Sequence, residues 1–528
     1  MNSGIQLYPD CLRRIFEHIV DSSEYLHTTH KILYSCILVN KLFCENAIPI
    51  LWRNPWNPNS NKSKNNTYKK FSITKTILSC LLHHYHQEQQ QQQQQDKEDT
   101  FGIICLKNSI KEPLFDYLSY CRYIDYQDIE KVTKMLIEKK IELNIIINKK
   151  HKDNIEYILL KNIWELFMKK CNNIEFLNLP YNINISILSG SRQCLKWLNE
   201  LECKVDKEMK YLNQSTSFIG LTKICHNLSK IIIKPLDKDD ENLATLIKAQ
   251  NNLKEINLFT NQHVENLTFI SQALSIKANS IEKISLRGNF YFSFQNSFLS
   301  FLYNLKQLNI KFATFDNINY LLNLTILPNL EFLSIQLNYY SFDLSLDCYS
   351  KLFSTTKGHL QKFEIINATR PPSRIIGLKL FFQSIINYCP LINHIRIWYI
   401  NEFLYDFKQL LINSDYLNSI EFDFLKVHLS DIHDYDTERK LQTKSLLDAL
   451  VDYSINLNHL YFNSLWWLLP LELTYFLDLW KGKNIKLTLK IKDNVKKNLD
   501  SYLIIIDKFI KDDVLTNDSG KWIKEFPF

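Results

Sequence analysis

The sequence predicts an α/β repeat array behind a small, all-helical N-terminal unit. Three observations predict it. A block with apolar residues at its first, fourth and sixth positions recurs between Asn173 and Phe462. The stretches between successive blocks carry apolar residues at helical spacing, so strand and helix alternate along the chain. Ahead of the blocks, between Leu7 and Trp56, three short helical patterns follow one another. A chain of 528 residues, 45% of them apolar, exceeds the size at which single cores stop growing, which favours several domains or an elongated array.

In the first helical pattern Leu12, Ile15, Phe16 and Ile19 fall at i, i+3, i+4 and i+7, one apolar stripe. Pro9 and Asp10 stand at its start, where a fixed φ and a carboxylate both suit the first turn. A second helix is expected through Leu33, Cys36 and Ile37 into Leu38–Val39, and a third from Phe43 through Ala47 and Ile48 to Leu51–Trp52. Three short helices bury little surface by themselves, so such a unit gains from a partner. The order Leu7, Pro9, Asp10, Leu12, Ile15, Phe16, Leu38, Val39, Phe43, Leu51, Trp52 resembles an F-box, over about a tenth of the chain. The resemblance implies docking on a Skp-type adaptor that links the chain to a cullin and a ubiquitin-conjugating machine. It implies that Leu7, Pro9, Leu12, Ile15, Phe16, Val39 and Trp52 touch that adaptor or hold the helices that do. One departure is visible: an F-box usually opens Leu-Pro, and here Tyr8 separates Leu7 from Pro9. The bare pattern also suits an ordinary helical bundle with a Leu/Ile/Phe core.

Residues 1–56 are therefore read as the F-box domain and 57–100 as a polar loop with a low-complexity insertion. Within the latter, Asn57–Lys70 is Asn/Ser/Lys-rich, Phe71–Tyr85 carries a short helical pattern, and His83, His84 and His86 precede an unbroken Gln89–Gln95. The histidines have no second ligand cluster near them in sequence, and neither a metal nor any other cofactor is expected. Residues 101–165 read as a helical connector through Leu114, Phe115, Leu118, Ile124, Ile129, Val132, Met135 and Leu136. A further helix, Ile155 to Lys170, leads into the blocks.

The blocks open at Ile174, Leu228, Leu253, Ile281, Leu305, Leu330, Leu360, Ile392, Leu417 and Leu457, with Cys194-Leu195-Lys-Trp-Leu198 as a degenerate copy. Their frame is L-x-x-L-x-L, and the openings lie mostly about 24 to 33 residues apart. This resembles a leucine-rich repeat and implies a solenoid of about ten to twelve irregular repeats over 166–492. On a strand of period two, the fourth and sixth positions point into one shared core. A lone repeat cannot offset its chain entropy, whereas stacked copies bury a continuous core. Cys389-Pro390-Leu391 marks one hand-over from helix to strand. A last strand is expected at Ile485–Ile491, and residues 493–528 read as a cap and tail, with a helix from Leu499 to Ile510 and a loosely held end from Lys511.

Several function classes are excluded. With nine glycines there is no phosphate-cradling loop; Gly482-Lys483 and Gly520-Lys521 lack the upstream glycine of a P-loop. No His-Glu-x-x-His, Gly-x-Ser-x-Gly or Cys-x-x-Cys occurs, so no catalytic residue and no enzymatic activity of the chain itself are expected. A net charge of +7, from 63 basic and 56 acidic residues dispersed along the chain, does not argue for nucleic acid. Twelve irregularly spaced cysteines point to a reducing compartment. The longest apolar run, Leu465 to Leu471, is broken by Glu472, so no membrane span is expected, and cytoplasm or nucleus is the expected location. The many asparagines are assigned no function.

On each repeat strand the third, fifth and seventh positions face away from the core. They include Arg287, Lys311, Arg396, Trp398, Glu421, Asp423 and Tyr461, residue types that serve as binding anchors. Basic residues from Lys283 to Lys311 and the acidic pair Glu421/Asp423 would set two opposed fields on this face. The two resemblances together imply a substrate-recognition subunit of an SCF-type ubiquitin ligase, holding a protein target by position and not by chemistry. A repeat scaffold without ligase function, or a solenoid that binds nucleic acid, are the alternatives.

Overall fold

The computed structural model describes residues 8–22, 26–56, 65–91, 103–105, 112–139, 145–147, 154–180, 183–204, 214–236, 238–261, 267–288, 290, 298–313, 322, 325–337, 343–367, 374–399, 401–424, 435–463, 468–491 and 499–520. They form two compact units, Met1–Lys234 with Asp240–Leu253, and Pro235–Asp239 with Lys254–Phe528.

The first unit opens with helices α1 (Pro9–Ser22), α2 (Leu26–Ile37) and α3 (Lys41–Leu51). Pro9 takes the first helical position of α1 and Asp10 its first turn. The side chain of Asn40 accepts the N–H of Phe43 at 2.9 Å and so caps α3. Leu12, Phe16, Leu33, Ala47, Ile50 and Leu51 form the core of the trio, with the rings of Phe16 and Phe43 edge to face at 5.8 Å. Helix α2 ends earlier than its apolar pattern suggested: Leu38 and Val39 lie in the turn after it, their N–H groups donating to Ser35 and Cys36.

Helix α4 (Asn65–Gln91) takes up most of the segment read as loop and insertion, including His83–His86; the glutamines from 92 on lie outside the described residues. The segment read as a helical connector is not one helix. It holds β1 (Ile103–Cys105), a 3-10 turn at Tyr117–Tyr120, β2 (Tyr123–Asp125), α5 (Tyr126–Glu138) and β3 (Ile145–Ile147), β1 and β3 pairing antiparallel. Helix α6 (Ile155–Lys170) follows, as its apolar spacing predicted. Strands β4 (Phe176–Leu179), β5 (Glu200–Lys204) and β6 (Lys230–Lys234) then extend a parallel sheet in the order β6-β5-β4-β2. The sheet thus begins inside the presumed connector. Its degenerate repeat is framed three residues later than expected: Leu198, Leu201 and Cys203 are the buried positions, with β5 on the last two.

The second unit continues with β7 (Glu255–Phe259), β8 (Lys283–Arg287), β9 (Gln307–Ala313), β10 (Phe332–Leu337), β11 (Asp343–Ser345), β12 (Lys362–Asn367), β13 (Arg374–Ile376), β14 (His394–Tyr399), β15 (Ser419–Phe424), β16 (His459–Phe462) and β17 (Thr488–Ile491). Nine of these form one all-parallel sheet, in the order β17-β16-β15-β14-β12-β10-β9-β8-β7, while β11 and β13 pair separately. Equivalent block positions lie opposite one another, as in Ile284↔Leu308 and Ile395↔Ile420. The helices Asp347–Thr355, Leu378–Tyr388, Leu404–Asn413, Tyr435–Tyr453, Pro470–Trp480 and Leu499–Lys511 pack each on the next. Their phenylalanines meet those of the strands: Phe353 lies 5.2 Å from Phe363, Phe381 5.4 Å from Phe363, and Phe407 5.7 Å from Phe422. Each such buried ring or aliphatic is worth about 1.5–3 kcal/mol, and these contacts hold the parallel array together. A parallel strand carrying L-x-x-L-x-L with a helical return is the arrangement of a leucine-rich repeat.

Polar ladders run alongside the apolar one. In each unit the carbonyl just ahead of a strand accepts two successive N–H groups from the next repeat: Arg122 from Glu175 and Phe176, Glu175 from Asn199 and Glu200, Glu331 from Gln361 and Lys362, Asn393 from Asn418 and Ser419. Arg53, two residues past α3, does the same for Arg122 and Tyr123, and Trp52 packs against Tyr117, ring centroids 4.7 Å apart at a 44° tilt. The helical trio is therefore built onto its sheet and not tethered to it. The asparagines that open many blocks have a structural role. Asn304 donates to the carbonyl of Asn279, Asn329 to Tyr303 and Asn456 to Asp415. Three residues before the first block anchor sits a buried small or polar residue: Cys171, Cys225, Gln250, Cys389, Ser414 or Ser454. Gln250 shows why, donating to the carbonyl of Cys225 at 3.0 Å and accepting from the N–H of Leu228 at 3.0 Å. Burial pushes the thiols of Cys194, Cys225 and Cys389 up to about 12, and all three are free thiols.

The end from Lys511 is not loose as far as Gly520. Leu515 is buried beside Leu487, whose N–H and carbonyl bond Val514 and Thr516. Among the described residues no helix is long and apolar enough to cross a membrane.

Candidate functional site

Two surfaces carry the residues singled out in the sequence, one in each unit. On the helical trio those residues divide into a buried and an exposed set. Leu12 and Phe16 are core, so they hold the helices and offer nothing outward. Trp52 is half-buried against Tyr117 and the trio's own core, which makes it the joint between α3 and the sheet. Ile15 is 47% exposed, Val39 60% and its neighbour Leu38 86%, and Pro9 is exposed as well. Leu7 lies outside the described residues. Arg53 fixes the exit from α3 by reaching back to Glu17, Nη2 to Oε1 at 2.6 Å. Below it a small apolar pocket is lined by Tyr34, Ile37, Ile48, Leu51, Trp52 and Ile73.

In the second unit the face of the sheet away from the helices is built on β7 to β17. Its most elaborate part is on β12, β14 and β15. Arg396 meets Glu421 directly across the strand pair, Nη1 to Oε1 at 2.9 Å, and Asp423 on the diagonal, Nε to Oδ2 at 2.8 Å. Asn463 donates to Glu421 at 2.5 Å. On the other side Glu364 accepts from Lys362 at 2.8 Å and from Ser334 at 2.9 Å, while His394 bonds Ser419 through Nδ1 at 2.8 Å and turns Nε2 toward Glu364 at 3.5 Å. The Arg396 guanidinium is only 19% exposed, and burial opposes its charge, yet Asp423 and Glu421 hold it above the ordinary range. Burial, reinforced by Lys362, Arg396 and His459 against the pull of Glu364, brings His394 down to about 4, so the ring is neutral near pH 7.

The expected acidic field at Glu421 and Asp423 is reduced and not abolished: Arg396 pairs with both, and one positive charge against two carboxylates leaves a net negative charge there. Trp398 is also a correction. Its seventh position in the block predicted an exposed anchor, but the ring is 2% exposed and belongs to the interior. Tyr461 is half-buried, stacked on His459, with the Lys490 ammonium 5.1 Å from its ring. Arg287 is exposed, its guanidinium 5.8 Å from the ring of Phe259, and Lys311 lies beside it in register. Among the described residues no cluster of His, Cys, Asp or Glu suits a metal ion.

No family model matches the chain, and no curated protein matches it. Among solved structures, the leucine-rich repeat-containing protein LegL7 from Legionella pneumophila aligns with 55% of this chain and 90% of its own length, at 14% identity and a TM-score of 0.28. A likeness of that size stands beside the repeat geometry and adds nothing to it.

Proposed function

We propose that this chain is a non-catalytic adaptor with two grips: the helical trio acts as an F-box on a Skp-type adaptor, and the repeat sheet holds a protein target for ubiquitin transfer. One observation carries the reading, the division of the F-box-like residues into a buried set and an exposed set. Leu12 and Phe16 close the core, while Ile15, Leu38 and Val39 are left facing solvent on a unit too small to be robust by itself. Buried docking is the natural fate of exposed aliphatics at such positions. The mechanism is positional. Holding target and conjugating enzyme on one body raises the effective concentration of target lysines around the transfer site.

The test is co-purification of the full chain with a Skp-type adaptor and cullin. Leu38→Asp with Val39→Asp changes exposed positions only, so the variant is expected to fold and to lose the adaptor. Undiminished adaptor binding by that folded variant overturns the proposal.

A further inference from the structure

We infer that the open face of β7–β10 seats an acidic segment of the protein target on Lys283, Arg287 and Lys311. This rests on the reading of the repeat sheet as the target-holding face. On β12 and β14 the cations of the open face are answered by carboxylates, and Lys490 on β17 lies over the ring of Tyr461. Lys362 is paired with Glu364, and Arg396 with Glu421 and Asp423. On β8 and β9 no carboxylate among the described residues pairs with Lys283 or Lys311. Arg287 and Lys311 are partners in register, so two cationic side chains leave neighbouring strands side by side. Glu255 stands across from Lys283 but also accepts from Asn257 at 2.8 Å. Lys254 and Lys306, at the turn, are both spent on Glu282 at 3.7 and 3.1 Å.

Between the charged rows lies a neutral row in register, Asn257, Ser285 and Asn309. Amides and hydroxyls of this kind can bond an extended backbone, and cations two residues away along each strand can take carboxylates. Three cations would release few counterions from a nucleic acid, which favours a short acidic segment over a long polyanion. The charge, spacing and polarity fit an acidic peptide.

The purified full chain is titrated with a fluorescein-labelled peptide of alternating Asp and Ser, and with a matched peptide of alternating Asn and Ser. The acidic peptide alone is expected to bind, more weakly as salt rises. Lys283→Glu with Lys311→Glu should weaken it by about tenfold or more, whereas Lys351→Glu with Lys379→Glu, the same charge change on exposed helix positions, should stay within about twofold. Equal binding of the neutral peptide, equal loss in both double variants, or tighter binding of a labelled oligothymidylate than of the acidic peptide overturns the inference. Should Lys283→Glu with Lys311→Glu fail to fold, Lys283→Ala with Lys311→Ala carries the same test. The peptide assay needs no adaptor, so failure of adaptor co-purification with peptide binding intact strikes the ligase reading and upholds this one.

Discussion

Arg396 presents Nε and Nη2 together to the carboxylate of Asp423, at 2.8 and 3.1 Å, from the adjacent strand. With Glu421 held at 2.9 Å by the remaining nitrogen, one guanidinium satisfies two carboxylates that would otherwise repel. Removing it is therefore worse than removing the whole group. Arg396→Met should destabilise the chain by about 2–3 kcal/mol, less than a fully buried pair because all three side chains retain some solvent. Adding Glu421→Gln and Asp423→Asn should recover most of that loss. Urea midpoints of the single and triple variants check this.

His394 gives the second unit a pH dependence of known sign. Its folded pKa, brought down to about 4 by burial, lies below the unfolded value of about 6.5. Between those values the unfolded chain binds the extra proton, so stability falls as pH drops from about 6.5 to about 4, with a slope of up to about 1.4 kcal/mol per pH unit from this group. His394→Asn keeps an acceptor or donor for Ser419 and cannot titrate. Its stability curve should be flatter across that window, and parallel curves for the two proteins would remove His394 as the cause.

Much of this was legible in the sequence, for reasons that can be named. Ile284 and Leu286, or Ile395 and Ile397, alternate because a strand buried on one face must, and the blocks locate their strands to within a residue. The degenerate copy failed because Cys203 stands where the frame wants a leucine, and a buried thiol packs as a small hydrophobe. The strand at Tyr123–Asp125 went unseen because three residues are too short to show a period. The asparagines looked like compositional noise, since their role is a bond to a carbonyl one repeat earlier, about 25 residues away, beyond any local pattern. Of the candidate anchors, pattern gave the side of the strand but not its surroundings. Trp398 is on the predicted side and still buried, and Glu421 and Asp423 share the single positive charge of a residue on another strand.

The asparagine contacts can be tested singly. Asn329→Ala leaves the carbonyl of Tyr303 without its donor at an exposed turn, and Asn304→Ala does the same at Asn279. Each should cost about 0.5–1.5 kcal/mol in thermal or urea unfolding. Asn329 bonds the peptide carbonyl immediately ahead of Asn304, so the double variant should depart from simple additivity.

Gly288 closes β8 at φ +112°, with its N–H donating to the carbonyl of Lys311. A Cβ there would stand 2.2 Å from the carbonyl oxygen of Thr260. Gly288→Ala should therefore destabilise by about 1–3 kcal/mol through backbone strain alone, before any adjustment for the clash. Gly482, with nothing near its Cβ position, is the control and should be nearly silent as Gly482→Ala.

Phe16 separates a structural role from a docking role on the helical trio. It is buried among Leu12, Leu33, Ala47, Ile50 and Leu51, a core with few other large side chains, and its ring meets Phe43 edge to face. Phe16→Ala should cost about 3–5 kcal/mol locally. A small core cannot absorb that, so amide exchange in α1 and α3 should accelerate while the β14–β15 ladder keeps its protection. Val39→Asp, at an exposed turn position, should leave exchange in both places unchanged. Equal acceleration in β14–β15 for Phe16→Ala would show that the trio and the repeats unfold as one cooperative body.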